Sequence, residues 1–186
     1  MKIIITGASG MVGEGVLLEC LKNTEVSEIL VIGRRPSGHK NPKLKEVLHK
    51  DFLNLEPIEK EMAGYDACFF CLGVSSVGMK PEDYKRMTYD LTLEMGRRLA
   101  RLSPDLTFCY VTGMGTDSSQ KGRVRWARVK GETENELLRL FKNAYMFRPG
   151  AMVATAGQKN LKFAYKAFVP LVPALKFLFP KSVCTL

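Results

Sequence analysis

A glycine-rich turn near the amino terminus constrains the fold of this chain more than any other feature. The apolar run KIII at residues 2–5 predicts a buried strand, and TGASGMVG at residues 6–13 follows it directly. Gly7, Gly10 and Gly13 allow a tight turn, a close backbone approach and tight packing of the next helix. That helix would present free N–H groups and its positive dipole end to the turn, which suits a pyrophosphate. A strand, turn and helix in this order predict a dinucleotide-binding domain.

The end of the second predicted strand indicates which dinucleotide is bound. The run EILVIG at residues 28–33 predicts a strand, and Arg34 and Arg35 follow it. NAD-binding proteins usually place an acidic residue here to accept hydrogen bonds from the ribose 2′-hydroxyl. This chain has Gly33 at about that position, and a guanidinium pairs well with a 2′-phosphate. We therefore expect NADP(H) to be preferred over NAD(H); the alternative is that both arginines are solvated surface charges.

Strands and helices alternate along the chain, which indicates the fold class. Strands are predicted near residues 2–6, 28–33, 46–50, 65–72, 106–112 and 144–148, and helices near 11–22, 56–63, 81–102 and 122–141, with a short one near 42–45. This alternation predicts an α/β, Rossmann-type domain with a doubly wound, mostly parallel sheet and helices on both faces. The 186 residues suffice for a single domain. We expect its core at 1–150 and a substrate-side or lid segment at 151–186.

The net charge of +9 and the cysteine pattern bear on partners and location. An anionic cofactor explains part of the positive charge, and no nucleic-acid module is recognisable, so no specific nucleic acid is expected. The first predicted strand begins at the amino terminus, which argues against a signal peptide. Five cysteines without regular spacing are typical of reduced thiols in the cytoplasm. Cys68 and Cys71 lie in a predicted strand and should face opposite sides, so neither a shared metal nor a disulfide is expected.

Polar and small residues follow the other predicted strands, where ligands of parallel sheets bind. Asp51 and Phe52 follow the third strand and suit the adenine. A small-residue turn with Leu72 and Gly73 follows the fourth and suits the ribose. A hydroxyl-rich loop at 112–119 follows the fifth. After the sixth comes a turn expected close to the nicotinamide, with Arg148, Pro149 and Gly150.

The order of these motifs resembles a known family. TGASGMVG, IGRR, KDF, CLG, VKGETE and FRPG, between about Lys2 and Gly150, resemble the atypical short-chain dehydrogenase/reductases, and among them the branch of Tat-interacting oxidoreductase-like proteins. The resemblance implies a Rossmann fold. It also implies that NADP(H) is held by Gly7, Ser9, Gly10, Met11, Val12, Gly13, Arg34, Arg35, Asp51, Leu72 and Gly73.

The resemblance also implies a catalytic pattern, Tyr-x-x-x-Lys with an upstream Ser or Thr. Its lysine stands here as Lys130, but Trp126 occupies the tyrosine position. An indole N–H only donates, so Trp126 cannot replace the tyrosine as a general acid. It is expected to stack on the nicotinamide, to wall the substrate pocket or to pack under a loop. Thr112 and Thr116 are both candidates for the upstream hydroxyl.

Other tyrosines offer a substitute proton donor. Tyr84 lies near the start of a predicted helix that faces the cofactor end of the sheet, and it is the best candidate. Tyr110 and Tyr145 fall within predicted strands, where core packing is the better interpretation.

The carboxyl-terminal stretch 160–179 combines aromatic and aliphatic residues with lysines and prolines. Its prolines and lysines argue against a membrane-spanning helix. We expect a lid or a subunit contact over the substrate site, and the alternative is contact with a membrane surface. Resembling proteins continue further, so the end is either truncated or natural.

Two functions are consistent with these patterns. The first is an NADP(H)-dependent oxidoreductase acting on an unknown small carbonyl or alcohol. The second is a non-catalytic NADP(H)-binding sensor or scaffold, which the missing tyrosine favours.

Overall fold

A six-stranded parallel sheet forms the centre of the molecule. The computed structural model describes residues 1–160 and the backbone of residues 183–185. The strands of the sheet are β1 (Lys2–Thr6), β2 (Glu28–Gly33), β3 (Leu44–Leu48), β4 (Ala67–Phe70), β5 (Thr107–Val111) and β6 (Asn143–Phe147). They lie in the order β3-β2-β1-β4-β5-β6, and every neighbouring pair is parallel. The strand order reverses between β1 and β4, which is where Rossmann sheets open a ligand crevice.

Helices connect the strands. They are α1 (Met11–Lys22), a 3₁₀ helix (Glu56–Met62), α2 (Pro81–Lys85), a π-helical turn (Arg86–Asp90), α3 (Leu91–Leu102) and α4 (Arg125–Leu140). The segment from α2 to α3 is one continuous helical stretch, because the residues that join its parts keep right-handed helical dihedral angles. This stretch corresponds to the helix predicted at 81–102.

The side chains of β1 alternate between two apolar cores. Ile3 and Ile5 pack with Leu17 of α1 on one face of the sheet. Ile4 belongs to the larger core on the other face, which includes Met95 of α3 and Leu137 of α4. Successive residues of a strand point to opposite faces, so both faces of β1 are covered by helices. The predicted fold class, an α/β doubly wound parallel sheet, is confirmed.

The region before β3 differs from the prediction. No helix forms at 42–45; instead β3 begins at Leu44, which pairs with Ile29, and the strand ends before the predicted limit. Asn41 explains the error, because its side-chain oxygen accepts from the Lys43 N–H at 3.0 Å and its carbonyl accepts from the Leu44 N–H at 3.0 Å. An asparagine turn of this kind looks like a helical turn in sequence.

The prediction that Tyr145 packs in the core is wrong, since its side chain is 57% exposed. Tyr145 lies on β6, the edge strand, opposite Cys109 of β5. Helix α1, which covers that side of the sheet, contacts β1 and β4. Tyr110 is buried as predicted.

The pKa values of the two thiols in and directly after β4 are raised. Cys68 lies inside β4, and Cys71 follows the last residue of that strand. Burial raises the pKa of Cys68 well above its ordinary value and the pKa of Cys71 to about 12. Both thiols therefore stay protonated near neutral pH.

A small second sheet was not predicted. Strands β7 (Ala151–Val153) and β8 (Val183–Thr185) pair in parallel, so the predicted substrate-side segment contributes regular structure. Apart from Asn160, the predicted lid or contact segment 160–179 lies outside the described residues. Within the described part of the chain, no helix is long and apolar enough to cross a membrane.

Candidate dinucleotide and catalytic site

The glycine turn requires the absence of side chains at two positions. Gly7 has a φ of +73°, and a β-carbon there would lie 2.7 Å from the carbonyl oxygen of Cys71. A β-carbon on Gly13 would overlap the carbonyl oxygen of Gly7. The turn after β1 is therefore pressed against both the end of β4 and the first turn of α1, which is the close approach that the sequence predicts.

The amino terminus of α1 faces this turn without a side-chain cap. Gly10 is the N-cap residue, its N–H donates to Gly7 O at 2.9 Å, and its own carbonyl accepts from Glu14 N at 2.9 Å. Ser9 precedes the cap, and Met11 and Val12 form the first turn. Uncapped N–H groups and the positive end of a helix dipole favour a phosphate group.

A cavity of about 120 Å³ lies beside the ends of β2, β3 and β4. Five predicted cofactor-binding residues line it: Arg34, Asp51, Phe52, Leu72 and Gly73. The cavity is also lined by Lys50, Leu53, Val74, Met87 and Leu91. Lys50 was not among the predicted cofactor-binding residues, whereas Arg35, which was, is absent from the lining. Of the two adjacent arginines, only Arg34 therefore lines the cavity.

Lys130 is a residue of α4, and its amine lies at the end of β5. Its Nζ is 3.5 Å from Val111 O, 3.4 Å from Thr112 O and 5.5 Å from the centre of the Tyr110 ring. Burial lowers the pKa of Lys130 to about 8, although the nearby Glu134 carboxylate acts in the opposite direction. This ammonium group therefore exchanges its proton closer to neutral pH than an ordinary lysine does.

Trp126 precedes Lys130 by one turn of α4. Its indole lies against Gly115, where a β-carbon would be 3.7 Å from Trp126 Cη2. Further along α4, a β-carbon on Gly131 would overlap the Asp117 carbonyl oxygen. The hydroxyl-rich loop after β5 is thus packed directly on α4, and Trp126 is part of that contact.

The two candidate hydroxyls have different partners. Thr116 is buried, and its Oγ1 donates to Gly113 O at 2.7 Å, which closes the loop on itself. Thr112 Oγ1 lies 2.6 Å from Glu134 Oε1 and 3.1 Å from Phe147 O. Thr112 is also the residue whose carbonyl lies near Lys130, so it is the hydroxyl residue that shares an environment with the lysine.

Glu134 is a functional candidate that sequence reasoning did not select. Its side chain is only 1% exposed, and it is ion-paired with Arg148, which also contacts Ser118 Oγ. This pairing raises the pKa of Arg148. The guanidinium predicted to lie close to the nicotinamide is therefore engaged by a buried carboxylate. The sequence feature that could have identified Glu134 is its four-residue spacing from Lys130, which places both residues on one face of α4.

The backbone after β6 is held to the loop after β5. Thr112 N donates to Phe147 O at 2.8 Å, and Met114 N donates to Pro149 O at 2.8 Å. Pro149 and Gly150 therefore sit beside the loop that carries the candidate hydroxyls.

The substitute tyrosine has little access to solvent. Tyr84 is 1% exposed, and burial raises its pKa, although the hydroxyl of Thr88 and the charge of Arg125 act in the opposite direction. The structure buries Tyr84 in the protein interior.

Glu14 holds residues 159–160 against α1, a contact that was not predicted from the sequence. Its fully buried carboxylate lies 2.9 Å from His39 Nε2 and accepts from the N–H groups of Lys159 and Asn160, each at 2.8 Å. Burial alone would raise the pKa of Glu14, but these hydrogen bonds hold it below its ordinary value. Residues 159–160 are thereby anchored on the first turn of α1, next to the glycine turn.

Comparison with known proteins decides the family. The sequence model of the NAD dependent epimerase/dehydratase family matches residues 3–120, which is more than half of the chain. The chain belongs to this family. The family has an NAD(P)-binding Rossmann fold, and the glycine turn and the cavity lie where that fold holds its dinucleotide.

A sequence relative confirms the resemblance to the Tat-interacting branch. Protein HTATIP2 of Rattus norvegicus is 29% identical over 154 residues, which is 81% of this chain and 62% of the relative. The chain thus spans about three fifths of the length of this relative.

Solved structures of other proteins share the fold. ADP-L-glycero-D-manno-heptose-6-epimerase of Helicobacter pylori has a TM-score of 0.70 at 17% identity, covering 95% of this chain and 63% of that one. The Bordetella bronchiseptica enzyme WbmG in complex with NAD has a TM-score of 0.69 at 12% identity, covering 94% and 60%. These likenesses establish the fold of the family for this chain.

Proposed function

We propose that this chain binds NADP(H) in preference to NAD(H) and acts as an oxidoreductase on a small carbonyl or alcohol. The observation that carries the cofactor part is the position of Arg34, which lines the cavity together with Asp51 and Phe52. Gly33 ends β2, where NAD-binding proteins usually carry an acidic residue. A guanidinium in this position suits the 2′-phosphate of NADP(H).

The residues around the crevice fit the rest of such a dinucleotide. The turn at Gly7–Gly13 would place a diphosphate against the uncapped start of α1. Asp51 and Phe52 suit the adenine, and Leu72 and Gly73 the adjacent ribose. Lys130 would hold the nicotinamide ribose. The turn at Pro149 and Gly150 would lie beside the nicotinamide.

The nicotinamide supplies or accepts the hydride when the cofactor is bound, so the chain must handle one proton. Reduction of a carbonyl to an alcohol adds a hydride to carbon and a proton to oxygen. Trp126 cannot release that proton. Lys130, with a pKa of about 8, gives it either directly or through water.

A non-catalytic NADP(H)-binding sensor or scaffold is the second candidate. The replacement of the family's tyrosine by Trp126 favours it. Both functions require the same dinucleotide site, so they differ only in turnover. We retain the cytoplasm as the expected location, because buried unpaired thiols such as Cys68 and Cys109 suit a reducing compartment.

Titration of the purified protein with NADPH and with NADH tests the proposal. The proposal predicts tighter binding of NADPH and a loss of this preference in Arg34→Ala. If neither nucleotide binds, both candidate functions are wrong.

A further inference from the structure

A second groove opens between α2 and the amino-terminal part of α4. Its volume is about 440 Å³, within the range of small-molecule pockets. Helices α2 and α4 and the loop before α4 form its walls: Pro81, Glu82, Lys85, Gln120, Arg125, Arg128, Val129 and Glu132. None of these residues lines the cavity that contains Arg34. The groove is therefore distinct from the proposed dinucleotide site.

Positive charge in this groove is only partly neutralised. Lys85 pairs with Glu132 at 2.9 Å. Glu82 therefore stands against two guanidinium groups, those of Arg125 and Arg128. The two arginines are three residues apart in the first turn of α4, so they share a helix face and lie at the positive end of its dipole.

One donor of Arg125 is unpaired. Its Nη2 donates to Met79 O at 3.2 Å, while the buried Nε–H has no hydrogen-bond partner among the described residues. A buried N–H without a partner is costly, so a small rotation that gives it an acceptor would be favourable. A guanidinium presents its donors as a fork that matches two oxygens of a phosphate.

One wall of the groove is held rigidly by Asp117. Its carboxylate accepts from Ser119 Oγ at 2.6 Å and from Gly122 N at 2.7 Å. Gln120, between these two residues, has a φ of 61°, in the left-handed region. Arg128 Nη1 in turn donates to Gly122 O at 2.6 Å. A preorganised wall lowers the entropic cost of binding a ligand.

We propose that this groove binds the phosphate of a small phosphorylated polyol, with Arg125 and Arg128 on the phosphate. The groove is larger than a bare ion requires, and the side-chain oxygens of Glu82, Gln120 and Glu132 are acceptors for hydroxyl groups. The proposal goes beyond the dinucleotide function and does not depend on it.

The test is calorimetric titration with glycerol 3-phosphate and with inorganic phosphate. We expect glycerol 3-phosphate to bind more tightly, and Arg125→Gln to weaken its binding by roughly tenfold or more, since a charge-assisted hydrogen bond is lost. Arg123→Gln is the matched control, because it removes the same charge from an exposed residue that does not line the groove. Arg34→Ala separates this groove from the dinucleotide site. Arg123→Gln and Arg34→Ala should both bind glycerol 3-phosphate as tightly as the wild type does.

Hydrogen exchange locates the ligand independently of any variant. Glycerol 3-phosphate should slow amide exchange at residues 119–129 and leave residues 7–13 unchanged. If Arg125→Gln fails to fold, Arg128→Gln replaces it. The proposal is overturned if the ester does not bind at millimolar concentration, or if binding is lost in Arg34→Ala or equally weakened in Arg123→Gln. Inorganic phosphate binding as tightly as the ester would overturn the polyol assignment.

Discussion

Thr112 Oγ1 lies 2.6 Å from Glu134 Oε1, and this contact joins the end of β5 to the middle of α4. The same carboxylate pairs with Arg148 after β6. One buried acid therefore connects three elements of the candidate site, one helical turn from Lys130. The end of the sheet that carries the candidate site is held together by this network as well as by the apolar core.

Removing the charge of Glu134 should destabilise the protein. In Glu134→Gln, Arg148 loses its carboxylate partner, and we expect a cost of about 1–3 kcal/mol in the free energy of unfolding. Glu136→Gln is the control on the same helix, because Glu136 pairs at the surface with exposed Arg139, where a change below about 1 kcal/mol is expected. Urea unfolding measures both. Equal effects of the two substitutions would contradict the structural role given to Glu134.

Adding a methyl group at Gly13 should disrupt the glycine turn. The new β-carbon would overlap the carbonyl oxygen of Gly7, a backbone atom that cannot move independently. We expect Gly13→Ala to cost about 1–3 kcal/mol, as overpacking usually does, and to abolish dinucleotide binding. Gly113→Ala is the control, since no atom of the described residues lies within 4 Å of a β-carbon there. Full stability of Gly13→Ala in thermal unfolding would show that the turn is not packed as described.

The sequence predicts these local features because their causes are local. Glycines between a strand and a helix indicate a tight turn wherever they occur, and the apolar runs of β1, β2 and β5 identify buried strands. No local sequence pattern indicates the ion pair between Glu134 and Arg148. One residue lies on a helix and the other follows a strand, and only the tertiary packing of α4 against β6 brings them together.

Position within the sheet explains other differences. Tyr145 belongs to an apolar-looking strand, but a strand sequence does not reveal that β6 lies at the edge. The separation of Arg34 from Arg35 is also invisible in sequence, because it depends on which arginine points towards the turn after β3. Asn41 mimics a helical turn locally until the pairing of Leu44 with β2 is known.

The stability gained by removing the Lys130 amine should depend on pH. Burial lowers the pKa of Lys130 from 10.5 to about 8, so the unfolded chain binds more protons between these two values. The wild-type protein therefore becomes more stable through this group as the pH rises across that window. Lys130→Met removes a penalty that is fully present below pH 8. The stability of Lys130→Met relative to the wild type should therefore be greatest below pH 8 and decline as the pH rises above 8. A relative stability independent of pH, measured by urea unfolding, would contradict this environment for Lys130.

Restoring a phenol at position 126 separates the two candidate functions. If the missing proton donor limits catalysis, Trp126→Tyr should raise the turnover of a panel of small carbonyls with NADPH, commonly by about 10²–10⁴-fold for a general acid. Trp126→Phe is the matched control, because it removes the indole without adding a hydroxyl. Equal turnover in both variants would argue against the proton-donor explanation, and no turnover in either variant would favour the sensor or scaffold.

The most direct test of the central claim compares NADPH and NADH binding in the wild type, Arg34→Ala and Arg35→Ala. Both variants lose one positive charge, but only Arg34 lines the cavity. The wild type should bind NADPH more tightly than NADH. Arg34→Ala should weaken NADPH binding by roughly tenfold or more, as expected for a lost charge-assisted contact, and leave NADH binding nearly unchanged. Arg35→Ala should have a smaller effect. Equal affinities of the wild-type protein for NADPH and NADH would contradict the claim.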